Sequence, residues 1–392
     1  MRLVYVSSRY PYGPGEAFLG AEIAAHVADG ASVHVMPAYP KGAVVHGDAA
    51  AIAGLVETRS AAADLVALAR HVLVAPRALA SVGATLAAPQ RRAVRAKNLA
   101  VLSRAGRLVS LLRRTGAEHV HVHWGGTSST LAMVAAEVAG VPWSLTLHRW
   151  DIYENNLLAR KVRSASFTRV ISEGAAADLR TIVPDAEPTV LHMGVDIPSR
   201  ASRGDDPGRP CRFVCVASLV AVKNHGELLR AFAEVPGEAS LDLIGAGPLE
   251  VELRSLASSL GVADRVRFAG LVEHDQLLGR LAAGEWDGIV LASMASGSEH
   301  EGIPVSLMEA MAAGLPPVAT DSGGTRELVT ADAGILVPPG DHAALSEALR
   351  RFAQDGALRA RLADGAARRV ADAFDARRVA RELRELFSAA GR

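Results

Sequence analysis

Short apolar runs recur along the chain, and most precede a stretch whose apolar positions fall at helical spacing. Leu3-Val4-Tyr5-Val6 comes before the helical period of Ala17–Asp29, and Ser32–Met36 reads as a second strand. His119–His123, Trp143–Leu147, Val170-Ile171-Ser172 and Thr189-Val190-Leu191 continue the series. Residues 198–210, PSRASRGDDPGRP, interrupt it with Pro, Gly, Ser and charge, the composition of a linker. Then come Phe213–Ala217, Leu241–Ile244, Val266–Ala269, Gly288–Leu291, Pro317–Thr320 and Gly334–Val337, each ahead of a helix pattern. Such alternation predicts the α/β class, with parallel sheets covered on both faces. The βαβ opening begins a doubly wound domain, whose ligands lie at the carboxyl ends of the strands. Two such domains fit within 392 residues. The pattern places them at 1–197 and 211–372, with the linker at 198–210 and a terminal helix at 373–392.

Composition narrows the reading. Apolar residues make up 49% and aromatic ones 4%, so the cores should be Ala, Val and Leu. Lys and Arg (42) balance Asp and Glu (42), which argues against nucleic-acid binding by bulk positive charge. The only cysteines, Cys211 and Cys215, would lie roughly 13 Å apart along a strand, beyond disulfide reach. Two thiols do not complete a zinc site either, so reduced, cytosolic thiols are expected. The apolar run in MRLVYVSSRYPYGPG is too short for a signal peptide, and Arg70, His71 and Arg77 break the nearest approach to a membrane span. Between Leu65 and Ala117 there are ten Arg and Lys and no acidic residue. Two readings of that stretch stay open: an amphipathic helix with a solvated basic face, or a surface that lies on an anionic membrane.

Candidate chemistry concentrates in residues 298–327, SEHEGIPVSLMEAMAAGLPPVATDSGGTRE. A loop with Glu301 and Gly302 leads into a helix opening at Ile303-Pro304, where Pro suits the first turn. The helix carries Glu309 and closes before Gly314. After the apolar run Leu315–Ala319, Ser322-Gly323-Gly324 turns into a second helix. Two glycine-flanked helix openings side by side suit an anion, through unpaired N–H groups and the helix dipole. Two carboxylates beside them suit hydroxyls instead, and a nucleotide sugar has a diphosphate between two polyols.

Glu301-x7-Glu309, preceded by Glu301-Gly302-Ile303-Pro304-Val305, resembles the signature of the retaining GT-B glycosyltransferases of family 4, polysaccharide and colanic-acid type. The resemblance implies two Rossmann-like domains facing a cleft, and hexosyl transfer from a nucleotide-diphosphate sugar to a glycan or lipid-linked acceptor. It implies that Glu301 faces the donor sugar, that Gly302, Ile303, Val305 and Gly323 line its site, and that Glu309 holds the ribose. Ser218–Asn224 resembles the family's phosphate loop, which makes Lys223 the diphosphate cation; the family's Arg is Ser218 here. Gly245-Ala246-Gly247-Pro248 resembles the phosphate-side turn, and Gly270-Leu271-Val272 the segment flanking the base. No Asp-x-Asp chelator occurs, so a metal-free, front-face reaction without a resident cofactor is expected, with UDP as the guessed nucleotide.

In the N-terminal half, His148-Arg149-Trp150-Asp151-Ile152-Tyr153 resembles the segment whose His points at the donor sugar. Carried over, His148 joins Glu301 and Lys223 as catalytic, with Asp151 and Tyr153 positioning it. The loop with Tyr12 and Gly15, and Glu16 after it, resembles an acceptor loop or is a plain surface turn. Alternation sends His119, His121 and His123 to one face of a strand, and with no convergent fourth ligand His123 and Gly125 read as cleft lining rather than metal ligands. Asp151 and His123 therefore join Tyr12, Gly15 and Glu16 as expected acceptor contacts. The resemblance makes the expected place cytoplasmic, at the inner face of the membrane if residues 65–117 lie on lipid. Alternatives are a phosphorylase or nucleotide-sugar epimerase of the same fold, or a non-catalytic carbohydrate-binding protein. A dehydrogenase lacks its G-x-G-x-x-G opening.

Overall fold

The computed structural model describes residues 1–12, 16, 18–41, 54–55, 64, 66, 68–70, 76–88, 91–199, 209–294 and 302–391. They divide into two compact units: Met1–Gly194 together with Ala376–Arg392, and Val195–Asp375. Of the expected linker, residues 200–208 lie outside the described residues.

In the first unit the strands are β1 (Arg2–Ser7), β2 (Ser32–Pro37), β3 (Gly54–Leu55), β4 (His119–His123), β5 (Trp143–Leu147), β6 (Phe167–Val170) and β7 (Thr189–Val190). They form one parallel sheet in the order β3-β2-β1-β4-β5-β6-β7. Leu3 of β1 pairs with Val33 on one side and His119 on the other, so the order reverses at β1. That reversal opens the crevice where doubly wound sheets bind ligands.

Strand alternation gives the sheet a core on each face. Val4, Val6, Val120, Val122, Leu145 and Leu147 pack on one side against the Thr127–Ala139 and Ala105–Thr115 helices. Leu3 and Tyr5 face the other way, against Leu19 and Ile23 of the Phe18–Ala28 helix. The same face is closed by the Ala376–Ala390 helix, whose Val379, Leu383 and Phe387 recur every four residues and so form one stripe. Phe387 lies 4.5 Å from His119 and 5.8 Å from Phe167, ring centre to ring centre. The terminal helix begins at Ala376 rather than at 373, because Gly356–Ala373 is a helix of the second unit. Gly194 leads into this crossing: a Cβ there would sit 2.5 Å from the Ala376 Cα.

The basic stretch is not a single amphipathic helix. It contains the helices Pro76–Ala87, Arg92–Leu102 and Ala105–Thr115. Arg107 is buried and paired with Asp64, and Arg104 donates to the Ala38 carbonyl while covering the Tyr39 ring at 5.2 Å. Arg91, Arg92, Arg95 and Lys97 stay exposed beside Leu99, itself 49% exposed.

The second unit holds β8 (Arg212–Val216), β9 (Ser240–Ile244), β10 (Val266–Gly270), β11 (Gly288–Leu291), β12 (Pro317–Thr320) and β13 (Ile335–Val337), parallel in the order β10-β9-β8-β11-β12-β13. All six come from the expected apolar runs. Cys211 and Cys215 are free and buried, and burial pushes both thiols up to about 12. Pro304 caps the Val305–Ala312 helix from an extended conformation (ψ 117°) instead of occupying its first turn.

Phe387→Ala should destabilise the first unit by about 3–5 kcal/mol, the usual cost of emptying a buried aromatic site. Urea denaturation followed by near-UV circular dichroism measures it; a loss below about 1 kcal/mol would detach the terminal helix from this core.

Candidate functional site

In the second unit the expected residues gather at the carboxyl ends of the strands. A 3-10 turn, Ala221–Lys223, follows β8 and presents the partly buried Lys223, while Ser218 is exposed. Two glycines let the β8 and β9 loops touch backbone to backbone. A Cβ on Gly245, whose φ is +144°, would meet the Ala217 carbonyl oxygen at 2.1 Å; one on Gly247 would meet that of Leu219 at 2.4 Å. After β10, Leu271 is 82% exposed and Val272 is half-buried. The two helix openings do lie side by side, because the Gly324 N–H donates to the Gly302 carbonyl at 3.1 Å. Ile303 turns its side chain inward, where a Cβ on Gly324 would meet it at 2.8 Å; Val305 is half-buried, and Gly323 is exposed at φ +63°. Glu301 lies outside the described residues.

Glu309 is only 10% exposed, and its Oε1 lies 2.8 Å from Nε2 of His274. That hydrogen bond raises the His274 pKa above 6.5, against the opposing effect of burial. Glu309 Oε2 has no partner among the described residues, which leaves an acceptor for a hydroxyl. His274 was missed at the sequence level, since nothing in the spacing of a single chain links positions 274 and 309.

In the first unit His148 follows β5, half-buried between the rings of Trp124 (4.2 Å), Phe18 (5.1 Å) and His123 (5.1 Å). Burial above all, with the neighbouring His123 imidazole and Arg169 guanidinium acting in the same direction, holds its pKa well below 6.5, so it is neutral at neutral pH. Its Nε2 is 2.9 Å from His123 Nδ1, and His123 Nε2 is 3.1 Å from Glu22 Oε1. Tyr5 donates to the same oxygen at 3.0 Å, and Arg169 donates to Oε2 at 2.7 Å. Arg169 is fully buried and is anchored by the carbonyls of Leu191 (2.8 Å) and His192 (2.6 Å). Burial alone would raise the Glu22 pKa; Arg169 and the imidazoles outweigh it and hold the carboxyl well below its usual range.

Several expected acceptor contacts are support instead. His123 is 0% exposed with both ring nitrogens bonded, so it lies beneath His148 and lines no surface. Asp151 is 0% exposed too, and its two oxygens accept from the N–H groups of Gly125 and His148. Burial pushes its pKa up to about 6. The Glu16 carboxylate takes the N–H groups of Ser8 (3.0 Å), Arg9 (2.6 Å) and Tyr10 (2.7 Å) and the Trp124 indole (2.8 Å), so it shapes its loop. Tyr12 donates its N–H to Arg9 in a turn, and Gly15 lies outside the described residues. Lys161, fully buried, ties down the glycine turn after β4 by donating to Gly125 (2.8 Å) and Gly126 (2.7 Å); burial brings its pKa down to about 7.

Glu22, His121 and His123 bring ligand atoms within 4.8 Å of one another. Each is already committed: Glu22 to Arg169 and Tyr5, and His121 to Ser144 (2.8 Å) and Thr146 (2.9 Å). A cation there would sit against a buried guanidinium, so the cluster is built for hydrogen bonds rather than for metal. Beside it a cavity of about 810 Å³ is walled by Trp124 and Trp150 and carries Arg9, Lys41 and Lys97. Trp150 is 57% exposed. Arg149 is held by Asp178 at 2.7 Å. Among the described residues the non-glycine positions with positive φ are Trp124, Arg149, Asn155, Leu157 and Asn224. Trp124 lies against His148 and lines the cavity, Arg149 directly follows His148, and Asn224 follows Lys223; strain of this kind is retained where a site over-determines the backbone.

With this geometry in place, comparison with known proteins is direct. Residues 202–369 match the family of glycosyl transferases group 1. A group 1 domain therefore spans most of the second unit. The chain is 32% identical over 213 residues to the putative colanic acid biosynthesis glycosyltransferase WcaL of Escherichia coli K12, covering 53% of this chain and 52% of that one. It is 30% identical over 247 residues to a GDP-mannose-dependent alpha-(1-6)-phosphatidylinositol monomannoside mannosyltransferase of Mycobacterium tuberculosis, covering 56% and 63%. It thus spans from about half to under two thirds of these curated relatives. Among solved structures, Anabaena Alr3699/HepE in complex with UDP matches with a TM-score of 0.74 over 99% of this chain and 100% of that one, at 19% identity. That likeness speaks for the fold, which is GT-B as expected.

Glu309→Gln should bring the His274 pKa down towards 6.5, read from imidazole proton shifts in a pH titration. Because the folded value is raised, the pair's stabilisation is complete below 6.5 and is lost as pH rises through it. An unmoved His274 would mean that Glu309 is not its partner.

Proposed function

We propose that the protein is a retaining, metal-independent glycosyltransferase that moves a hexosyl group from a nucleoside-diphosphate sugar to a hydroxyl of a glycan or glycolipid. The observation that carries this is Glu309, nearly buried with one oxygen unpartnered, in the group 1 domain beside two glycine-lined helix openings. A ribose diol fits the carboxylate, and the diphosphate fits the N–H groups of the openings. Lys223 adds a point charge as the leaving diphosphate gains charge in the transition state. Glu301 and Gly323 serve the donor sugar by the resemblance already drawn, and retention follows from front-face attack.

The first unit holds the acceptor. Its cavity offers two indole faces for sugar rings and three cations, and His148 offers a ring nitrogen to a substrate hydroxyl. The relatives point the same way: WcaL is named for colanic acid biosynthesis, and the mycobacterial enzyme for a phosphatidylinositol mannoside.

The deciding experiment is calorimetry with a panel of nucleotides in EDTA. A nucleoside diphosphate should bind without added metal, UDP being the first choice because the HepE structure holds it and GDP the second because the mannosyltransferase uses it. Glu309→Ala should weaken that binding about ten- to a hundredfold, the worth of roughly 1.5–3 kcal/mol of charged hydrogen bonds. An unchanged dissociation constant, or binding that needs Mn²⁺, would overturn the assignment.

Among the described residues no helix is long and apolar enough to cross a membrane. Exposed Arg91, Arg92, Arg95 and Lys97 around Leu99 form a surface suited to anionic lipid. We expect the protein to sediment with anionic vesicles at low salt, to release at high salt, and to ignore neutral vesicles. Reversal of Arg91, Arg92 and Arg95 to Glu should abolish this; a wild type that never sediments refutes the membrane surface.

A further inference from the structure

We propose that Arg169, Glu22 and His123 form a positioning relay that holds His148 as its Nε2–H tautomer and leaves Nδ1 bare to accept from a substrate hydroxyl. The inference rests on the reading of His148 as a substrate-facing group, and its residues lie behind His148, in contact with no substrate.

The proton positions follow one from another. An ionised carboxylate only accepts, and Glu22 is ionised because Arg169 faces its Oε2 at 2.7 Å. Nε2 of His123, 3.1 Å from Glu22 Oε1, must therefore carry a proton. Arg169 already balances the Glu22 charge, and a protonated His123, with no exposed surface, would add an unmatched charge to a buried site. His123 is then neutral, with Nδ1 an acceptor. The atom facing Nδ1 at 2.9 Å is His148 Nε2, which must donate. A neutral imidazole has one proton, so His148 Nδ1 is bare, and no described residue bonds to it.

The neighbours leave little freedom. Arg169 is pinned by two backbone carbonyls, Leu191 and His192, just beyond β7. Tyr5 takes the remaining lone-pair direction on Glu22 Oε1. The His148 ring lies tilted against Trp124 and is flanked by Phe18, and the backbone N–H of His148 is tied to Asp151. The charged groups that act on the ring are Arg169 and Glu22. Ring flip and proton shift are both resisted. A bare Nδ1 takes a hydrogen bond from a sugar hydroxyl; a protonated one would present a donor instead.

Glu22→Gln gives a sharp test, because an amide cannot accept at both ends. Its carbonyl should turn to Arg169, its NH₂ should donate to His123 Nε2, and the tautomers of both histidines should invert. Long-range ¹H–¹⁵N spectra of the full chain labelled at histidine, assigned with His148→Gln, read the tautomer without substrate. We expect Nε2–H at His148 in the wild type and Nδ1–H in Glu22→Gln. With an active donor–acceptor pair, kcat/KM should fall about tenfold in Glu22→Gln, while the thermal transition shows the variant folded. Nδ1–H in the wild type, or an unchanged tautomer in a folded Glu22→Gln, overturns the relay. Should that variant fail to fold, the wild-type spectrum alone decides. Full turnover in His148→Ala would instead sink the substrate-facing reading of His148, whatever the spectra show.

Discussion

A guanidinium with no exposed surface has to be matched on every side, and Arg169 sets the terms for the first unit. It stands in β6 between the buried Thr168 and Val170, and it is tolerable there only because one carboxylate and two backbone carbonyls converge on it. The carboxylate comes from the Phe18–Ala28 helix, so the pair fixes where that helix lies over the sheet. The histidines of β4 then fill the space between charge and aromatic rings. His121 has both ring nitrogens met by Ser144 and Thr146 of the next strand, and His119 bonds Ser144 through Nε2. Only His123 passes a hydrogen bond on towards the sheet's end. One buried charge thus organises a strand, a helix and the loop that carries His148.

The second unit solves its problem differently. Its strand ends are brought together by the absence of side chains, at Gly245, Gly247 and Gly324, so that backbone N–H groups come within reach of a ligand. Lys223 and the His274–Glu309 pair stand among small and apolar residues, an arrangement in which each charged hydrogen bond counts for more than it would in water.

The parts of the fold written in local pattern were legible. The central strands β11 and β12 of the second unit are apolar runs buried along their whole length, and β5 announces itself in the same way. The short edge strand Gly54–Leu55 went unseen although it lies within the Ala- and Gly-rich apolar stretch 49–56, whose composition favours no strand period. The basic stretch looked like one amphipathic helix because sequence does not show that Arg107 turns inward to Asp64. Lys223 and Glu309 were picked out by motif, and the structure places them on loops and helices after β8 and β11, whereas His123 and Asp151 were expected at a surface and are buried. Both sit next to the cleft in sequence, but their atoms are consumed by neighbours that only the tertiary structure brings close. Glu22 and Arg169 did leave a trace: each is a charged residue at a core-facing register of an otherwise apolar element. That signal means a buried partner exists without saying which.

The Ala376–Ala390 helix belongs to the first unit although the whole second unit precedes it in the chain. On the ribosome, the face bearing Leu3, Tyr5, Leu19 and Ile23 therefore waits uncovered while residues 195–375 are made. At an elongation rate of about 5–20 residues per second that wait lasts on the order of ten to forty seconds. During it the rings of His119, His121 and Phe167 lack the wall that Phe387 supplies, so a nascent chain stalled before Ala376 is a natural client for chaperones.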